Sequence, residues 1–92
     1  MANAIITFKI MPESPDVELE KIKEEAKKIA KEAGAMGEML VEEQPIAFGL
    51  KAVIVKAMYK VEGGEFDAIA GKMKDIEKVQ SAEVANMDLA LG

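Results

Sequence analysis

The order of hydrophobic periods along the chain predicts an α+β fold, with a four-stranded antiparallel sheet and two helices on one of its faces. Three observations carry that expectation. Apolar residues alternate at two-residue steps in Asn3 to Met11 and in Leu50 to Val61, the pattern of strands with one face buried. They recur at three- and four-residue steps in two other stretches, each giving one stripe that must be covered. Shorter extended segments, Glu38 to Gln44 and Val79 to Leu91, complete the order β-α-β-β-α-β, and no long linker, repeat or low-complexity run interrupts it. Two single-striped helices packed on one side of a sheet bury both stripes most economically, which is the ferredoxin-like sandwich with strands one and three in the middle.

In the first strand Ala4, Ile6, Phe8 and Ile10 share the face expected to point into the core, with Ile5, Thr7 and Lys9 on the other. Met11-Pro12-Glu13-Ser14-Pro15-Asp16 breaks the alternation. Ser14 is suited to cap a helix whose first position is Pro15, and Gly34 to stop it. Leu19, Ile22, Ala26, Ile29, Ala30 and Ala33 form its stripe, while acids at the start and lysines at the end match the helix dipole.

Glu38 to Gln44 reads as an edge strand with Met39 and Val41 on one side. The following strand is the best candidate for a central one, with Val53, Val55, Ala57 and Tyr59 inward and Ala52, Ile54, Lys56, Met58 and Lys60 outward. Glu62-Gly63-Gly64 is the turn that ends it. A second helix follows over Glu65 to Lys78, striped by Phe66, Ile69, Ala70, Met73 and Ile76, in which Gly71 is expected to permit close packing on the sheet. The last segment alternates poorly. Val84 is its core candidate, and strict alternation puts Met87 and Leu89 on the opposite face.

Between the edge strand and the central one lies Gln44-Pro45-Ile46-Ala47-Phe48-Gly49-Leu50-Lys51. Pro45 favours an extended Gln44 and ends the preceding strand, and Gly49 lets the chain reverse behind a large aromatic. Phe48 has two readings. It is either an exposed contact residue on a loop held by a rigid sheet, or a ring that folds back to close one end of the core.

Composition narrows the chemistry. Ninety-two residues suit one domain, residues 1–92, with a single core. No apolar run reaches the length of a membrane span and the N-terminus lacks the regions of a signal peptide, so a cytoplasmic protein is expected. The sequence has no Cys, His, Arg or Trp, which removes thiol and imidazole catalysis, His- and Cys-ligated metals and bidentate guanidinium recognition. A net charge of −5 disfavours general affinity for nucleic acid. The outward residues of the middle strands include no stacking aromatic, so an RNA-recognition platform is missing too. Glu42 and Glu43 adjoin in a strand and point to opposite faces, which prevents joint action on one atom. Gly63-Gly64 ahead of acidic Glu65 and Asp67 makes an ordinary turn rather than a phosphate cradle.

Three stretches together are more specific than any of these patterns. Asn3-Ala4-Ile5-Ile6-Thr7-Phe8-Lys9-Ile10-Met11-Pro12, Pro45-Ile46-Ala47-Phe48-Gly49-Leu50-Lys51 and Val79-Gln80-Ser81-Ala82-Glu83-Val84-Ala85 resemble the guanine-nucleotide exchange domain of the elongation factor 1-beta/delta family. The similarity spans essentially the whole chain, and its brevity resembles the archaeal form. The resemblance implies an exchange factor that promotes GDP release and GTP rebinding on translation elongation factor 1-alpha, without covalent chemistry, cofactor or metal of its own, and monomeric when free. It also implies partner contacts at Phe48, Gly49 and Lys51 and at Met87, Asp88 and Leu89.

One departure stands out. Eukaryotic relatives carry a lysine just after the last strand that reaches the magnesium and phosphate site of the GTPase, whereas the matching position here is Leu89 and no Lys follows Lys78. Either the tail acts by steric wedging, or another lysine such as Lys51 or Lys56 takes part. The contrasting expectation, from the short edge strand and the apolar open face of Ile5, Ile54 and Met58, is a small-molecule-sensing module that self-associates through its sheet edges.

Overall fold

The computed structural model describes residues 3–61 and 65–90, and its elements run β1 (Asn3–Pro12), α1 (Leu19–Glu32), β2 (Met36–Pro45), β3 (Lys51–Lys60), α2 (Phe66–Lys74) and β4 (Val79–Ala90). The strands form one antiparallel sheet in the order β2-β3-β1-β4, so β1 and β3 are central and the ferredoxin-like expectation holds. The turn expected at Glu62-Gly63-Gly64 lies outside the described residues.

Alternation decides which side the helices cover. Ala4, Ile6, Phe8 and Ile10 are buried beside Val53, Val55, Ala57 and Tyr59, and onto them pack Ile22, Ala26 and Ala30 of α1 and Phe66, Ile69, Ala70 and Met73 of α2. The small side chains of Ala26 and Ala30 let α1 sit close to β3. There the Tyr59 hydroxyl donates to the Ala30 carbonyl at 2.9 Å, which satisfies the one polar tip in this part of the core. Burial pushes the Tyr59 phenol up to about 12, because the charged form would lose its hydration. Its ring meets Phe8 edge-on, with centroids 6.3 Å apart, and Phe66 at 5.4 Å.

Several boundaries differ from expectation for local reasons. Helix α1 begins at Leu19, with Glu18 as an N-cap that makes no side-chain hydrogen bond. Ser14 is therefore not the cap: its carbonyl accepts from the Val17 amide at 3.3 Å in a turn that carries the chain from β1 over the sheet. The other end is as expected. Gly34 at φ 108° donates to the Lys31 carbonyl and Ala35 to that of Ala30, the paired bonds of a Schellman stop. Ala33 is the C-cap and is exposed, so it lies outside the buried stripe.

Helix α2 ends at Lys74 rather than Lys78, and the intervening turn places Lys78 at φ 69° with its carbonyl accepting from Glu13 at 3.0 Å. Gly71 is exposed, and a Cβ added there would meet nothing within 4 Å, so it does not serve close packing.

Strand β4 shows why its alternation was hard to read. Thr7 and Phe8 are neighbours in β1 but pair with Asn86 and Val84, which leaves Ala85 as an extra residue, and a second irregularity at Met11/Pro12 leaves Gln80 extra. Each bulge inverts the facing of everything beyond it. Met87 and Leu89 therefore pair with the inward-facing Ile6 and Ala4, on the same side as Val84 and not opposite to it. The bulges in β4, with the irregularity between Met36 and Leu40 and the acids of β2, also blunt both outer strands against edge-to-edge association.

Candidate partner-binding site

The hairpin between β2 and β3 ends in a tight reversal. The Leu50 amide donates to the Ala47 carbonyl and the Ile46 amide to the Leu50 carbonyl, both at 2.9 Å. Phe48 and Gly49, the two residues at the apex, have φ of 53° and 80°. Two consecutive left-handed residues make a type I′ turn, whose twist suits the strands it joins and whose usual occupants are Asn-Gly. Glycine fits its place. Phe48 does not, since a side chain with a Cβ in the left-handed region costs about 1 kcal/mol or more.

The ring of Phe48 is 96% exposed. That excludes the reading in which the ring closes the core, because such a residue would be covered. A large aromatic thus stands in water on a backbone conformation it disfavours, beside the exposed Ile46. Gly49 forms the back of the tip, and its added Cβ would lie 3.7 Å from Pro15 Cβ, an ordinary contact. Its requirement is the positive φ, not lack of space.

Charged groups stand at the base of the tip. Lys23 of α1 donates to Glu43 Oε2 at 2.5 Å and to Glu20 Oε1 at 3.1 Å, while Lys51 Nζ is 3.9 Å from Glu43 Oε1. The hydrogen bond from Lys23 lowers the Glu43 carboxyl below its ordinary range, and the same bond raises Lys23. Lys51 remains more than half exposed. Glu42 pairs with Ile54 on the outward face and Glu43 with Val53 on the inward one, as the alternation requires.

Met87, Asp88 and Leu89 lie at the other end of the sheet. They pair with Ile6, Ile5 and Ala4, whereas the hairpin tip projects beyond Pro45 and Lys51. Eight residue steps along β3 lead from Lys51 to Tyr59, which faces Ala4, a span of roughly 25 Å at strand rise. The two predicted groups are not brought together. Met87 and Leu89 are exposed on the helix side, and Asp88 faces the open side, where it accepts from Asn86 Nδ2 at 2.9 Å.

The lysines sort by the same register. Lys51 belongs to the tip end, and Lys56 lies midway on the open face, opposite Thr7. Lys60, exposed and opposite Asn3, shares a row with Ala90 at the far end. Sequence reading missed Lys60 as a neighbour of the tail, because only the pairing of β1 with both β3 and β4 reveals it. Among the described residues no group of three acidic side chains is placed to hold a metal ion, and no helix is long and apolar enough to cross a membrane.

Among the described residues, exposed apolar side chains thus stand at both ends of the sheet, Ile46 and Phe48 at one and Met87 and Leu89 at the other. The profile of the EF-1 guanine nucleotide exchange domain matches residues 5–89. A relative called elongation factor 1-beta from Methanosphaerula palustris is 42% identical over 89 residues, covering 97% of this chain and 99% of its own. Its namesake from Methanoregula boonei is 39% identical with the same coverage, and that from Pyrococcus abyssi is 40% identical over 83 residues, 89% of each chain. The chain belongs to the EF-1 guanine nucleotide exchange domain family, with elongation factor 1-beta of archaea as its relatives.

Proposed function

We propose that this chain, as one exchange domain, accelerates GDP release and GTP rebinding on translation elongation factor 1-alpha in the cytoplasm. It makes and breaks no covalent bond. Its action is differential binding: gripping the nucleotide-free GTPase more tightly than the GDP-bound form weakens GDP binding by the same factor.

The observation that carries this reading is Phe48, held 96% exposed on a left-handed backbone. Neither feature benefits the folded monomer, and both suit an anchor that is buried only in a complex. The exposed Met87 and Leu89 support a second contact at the far end. Because the ends are roughly 25 Å apart, a partner touching both must straddle the sheet, and levering between two footholds is a physical route to opening a nucleotide site. The tail lacks a lysine, so its contact is apolar and steric, and Lys60 shares a row with Ala90 across β1 on the opposite, open face.

The test is release of a fluorescent GDP analogue from elongation factor 1-alpha in excess unlabelled nucleotide. Adding the chain should raise the rate at least severalfold, in proportion to its concentration until saturation. An unchanged rate removes the proposal.

A further inference from the structure

The hairpin tip extends past the body of the sheet, yet its base is tied to the rest of the fold from two directions. Glu43 lies in β2 two residues before Pro45. It accepts from Lys23 of α1 through one oxygen and faces Lys51, the first residue of β3, through the other. One carboxylate thereby joins the strand entering the tip, the strand leaving it and the helix. Underneath, Pro12, Ser14, Pro15 and Leu19 line a hollow of about 230 Å³ with Gly49 and Lys51, so the β1–α1 connection lies directly below the turn. Pro15 comes within van der Waals distance of the space behind Gly49. Its ring has few soft torsions, which makes it a firm support.

We propose that Lys23, Glu43 and Pro15 are positioning residues that hold the Phe48 tip at a fixed angle to the sheet before any partner arrives. None of them needs to touch the partner. A two-residue turn fixes the local path of the chain but not the lean of the whole hairpin, which depends on what its base rests against. Lys23 fits this role better than a purely solvated lysine, because its side chain is only 20% exposed and is shared between two carboxylates. Preorganising an anchor removes part of the ordering cost from the binding step.

The kinetic consequence of this inference rests on the exchange reading, whereas its structural consequence does not. The experiment therefore has two arms on the full chain. In the first, backbone order of residues 46–50 is measured by NMR relaxation in the free protein for wild type, Lys23→Met, Lys23→Arg and Pro15→Ala. Lys23→Met and Pro15→Ala should drop these amides towards order parameters of about 0.6 or less, with the rest of the sheet unchanged, and Lys23→Arg should restore them. In the second, the concentration of chain giving half-maximal GDP release should rise about threefold in Lys23→Met, with the maximal rate and the melting temperature little altered.

If Lys23→Met does not fold, Glu43→Thr removes the same link. Wild-type order at the tip in a folded Lys23→Met or Glu43→Thr variant overturns the proposal. Should wild type itself fail to release GDP, the exchange reading falls while the relaxation arm still decides the positioning role.

Discussion

Phe8 and Phe48 carry the same side chain to opposite ends of the exposure scale, 0% and 96%. Phe8 sits mid-strand in β1, meeting Tyr59 edge-on beneath both helices, where its environment is fixed by neighbours from β3 and β4. Phe48 sits at a hairpin apex with φ of 53°, where nothing covers it. The first ring holds the fold together. The second is held exposed by the fold, against its local preference. Under the proposed exchange role, stability and function fall on different residues of one type, which makes the contrast testable.

The largest effect should come from Phe8→Ala. Emptying a fully buried aromatic site should cost about 3–5 kcal/mol, read as a lower denaturant midpoint. Any loss of exchange should then follow the loss of folded protein. The same region responds to alkali. Tyr59 has a phenol raised from its ordinary 10.0 to about 12 by burial, so the folded state favours the protonated form. Its contribution is complete below pH 10 and is lost progressively as pH rises through about 12. Because it is the sole tyrosine, tyrosinate absorbance should report a late transition coincident with unfolding. An early titration near pH 10 in folded protein would show that the core around Phe8 is open to water.

Phe48→Ala should do the reverse of Phe8→Ala. Exchange should fall about thirtyfold, the ratio matching the ~2 kcal/mol of an interface hot spot, while the melting temperature stays within a degree or two. Phe48→Asn sharpens the point, since Asn is at home in a left-handed turn and should stabilise the protein by about 1 kcal/mol while losing as much exchange. A variant that is both firmer and less active would separate the two roles directly.

The smallest expected effect is at Gly71. With open space where its Cβ would be, Gly71→Ala should stabilise α2 by about 0.5–1 kcal/mol and leave exchange unchanged, as thermal melts and the release assay would record.

Where one pattern acted alone, the sequence was readable. The strict alternation of β1 located its core side, the Lys56–Tyr59 half of β3 did so despite the four successive buried residues Ala52 to Val55, and the Gly34 stop agreed with the helical stripe before it. Where two local tendencies competed, it was not. Ser14-Pro15 has the composition of a helix start, but the chain first needs a turn to climb from β1 onto the sheet. The bulges at Gln80 and Ala85 leave no unambiguous mark, because an extra residue changes facing without changing composition, and this alone reversed the side assigned to Met87 and Leu89. At the tip, Pro45 and Gly49 announced a reversal, whereas the left-handed φ of Phe48 runs against its local preference and the Lys23–Glu43 link joins residues twenty apart. The separation of the two predicted groups was likewise invisible until the strand order was known.

The proposed exchange role requires that this chain prefer the empty form of elongation factor 1-alpha. Its affinity for nucleotide-free elongation factor 1-alpha should be measured by calorimetry beside its affinity for the GDP-loaded form. Binding to the empty form should be at least tenfold tighter, about 1.4 kcal/mol, with most of that margin lost in Phe48→Ala. Equal affinities for the two forms would contradict it.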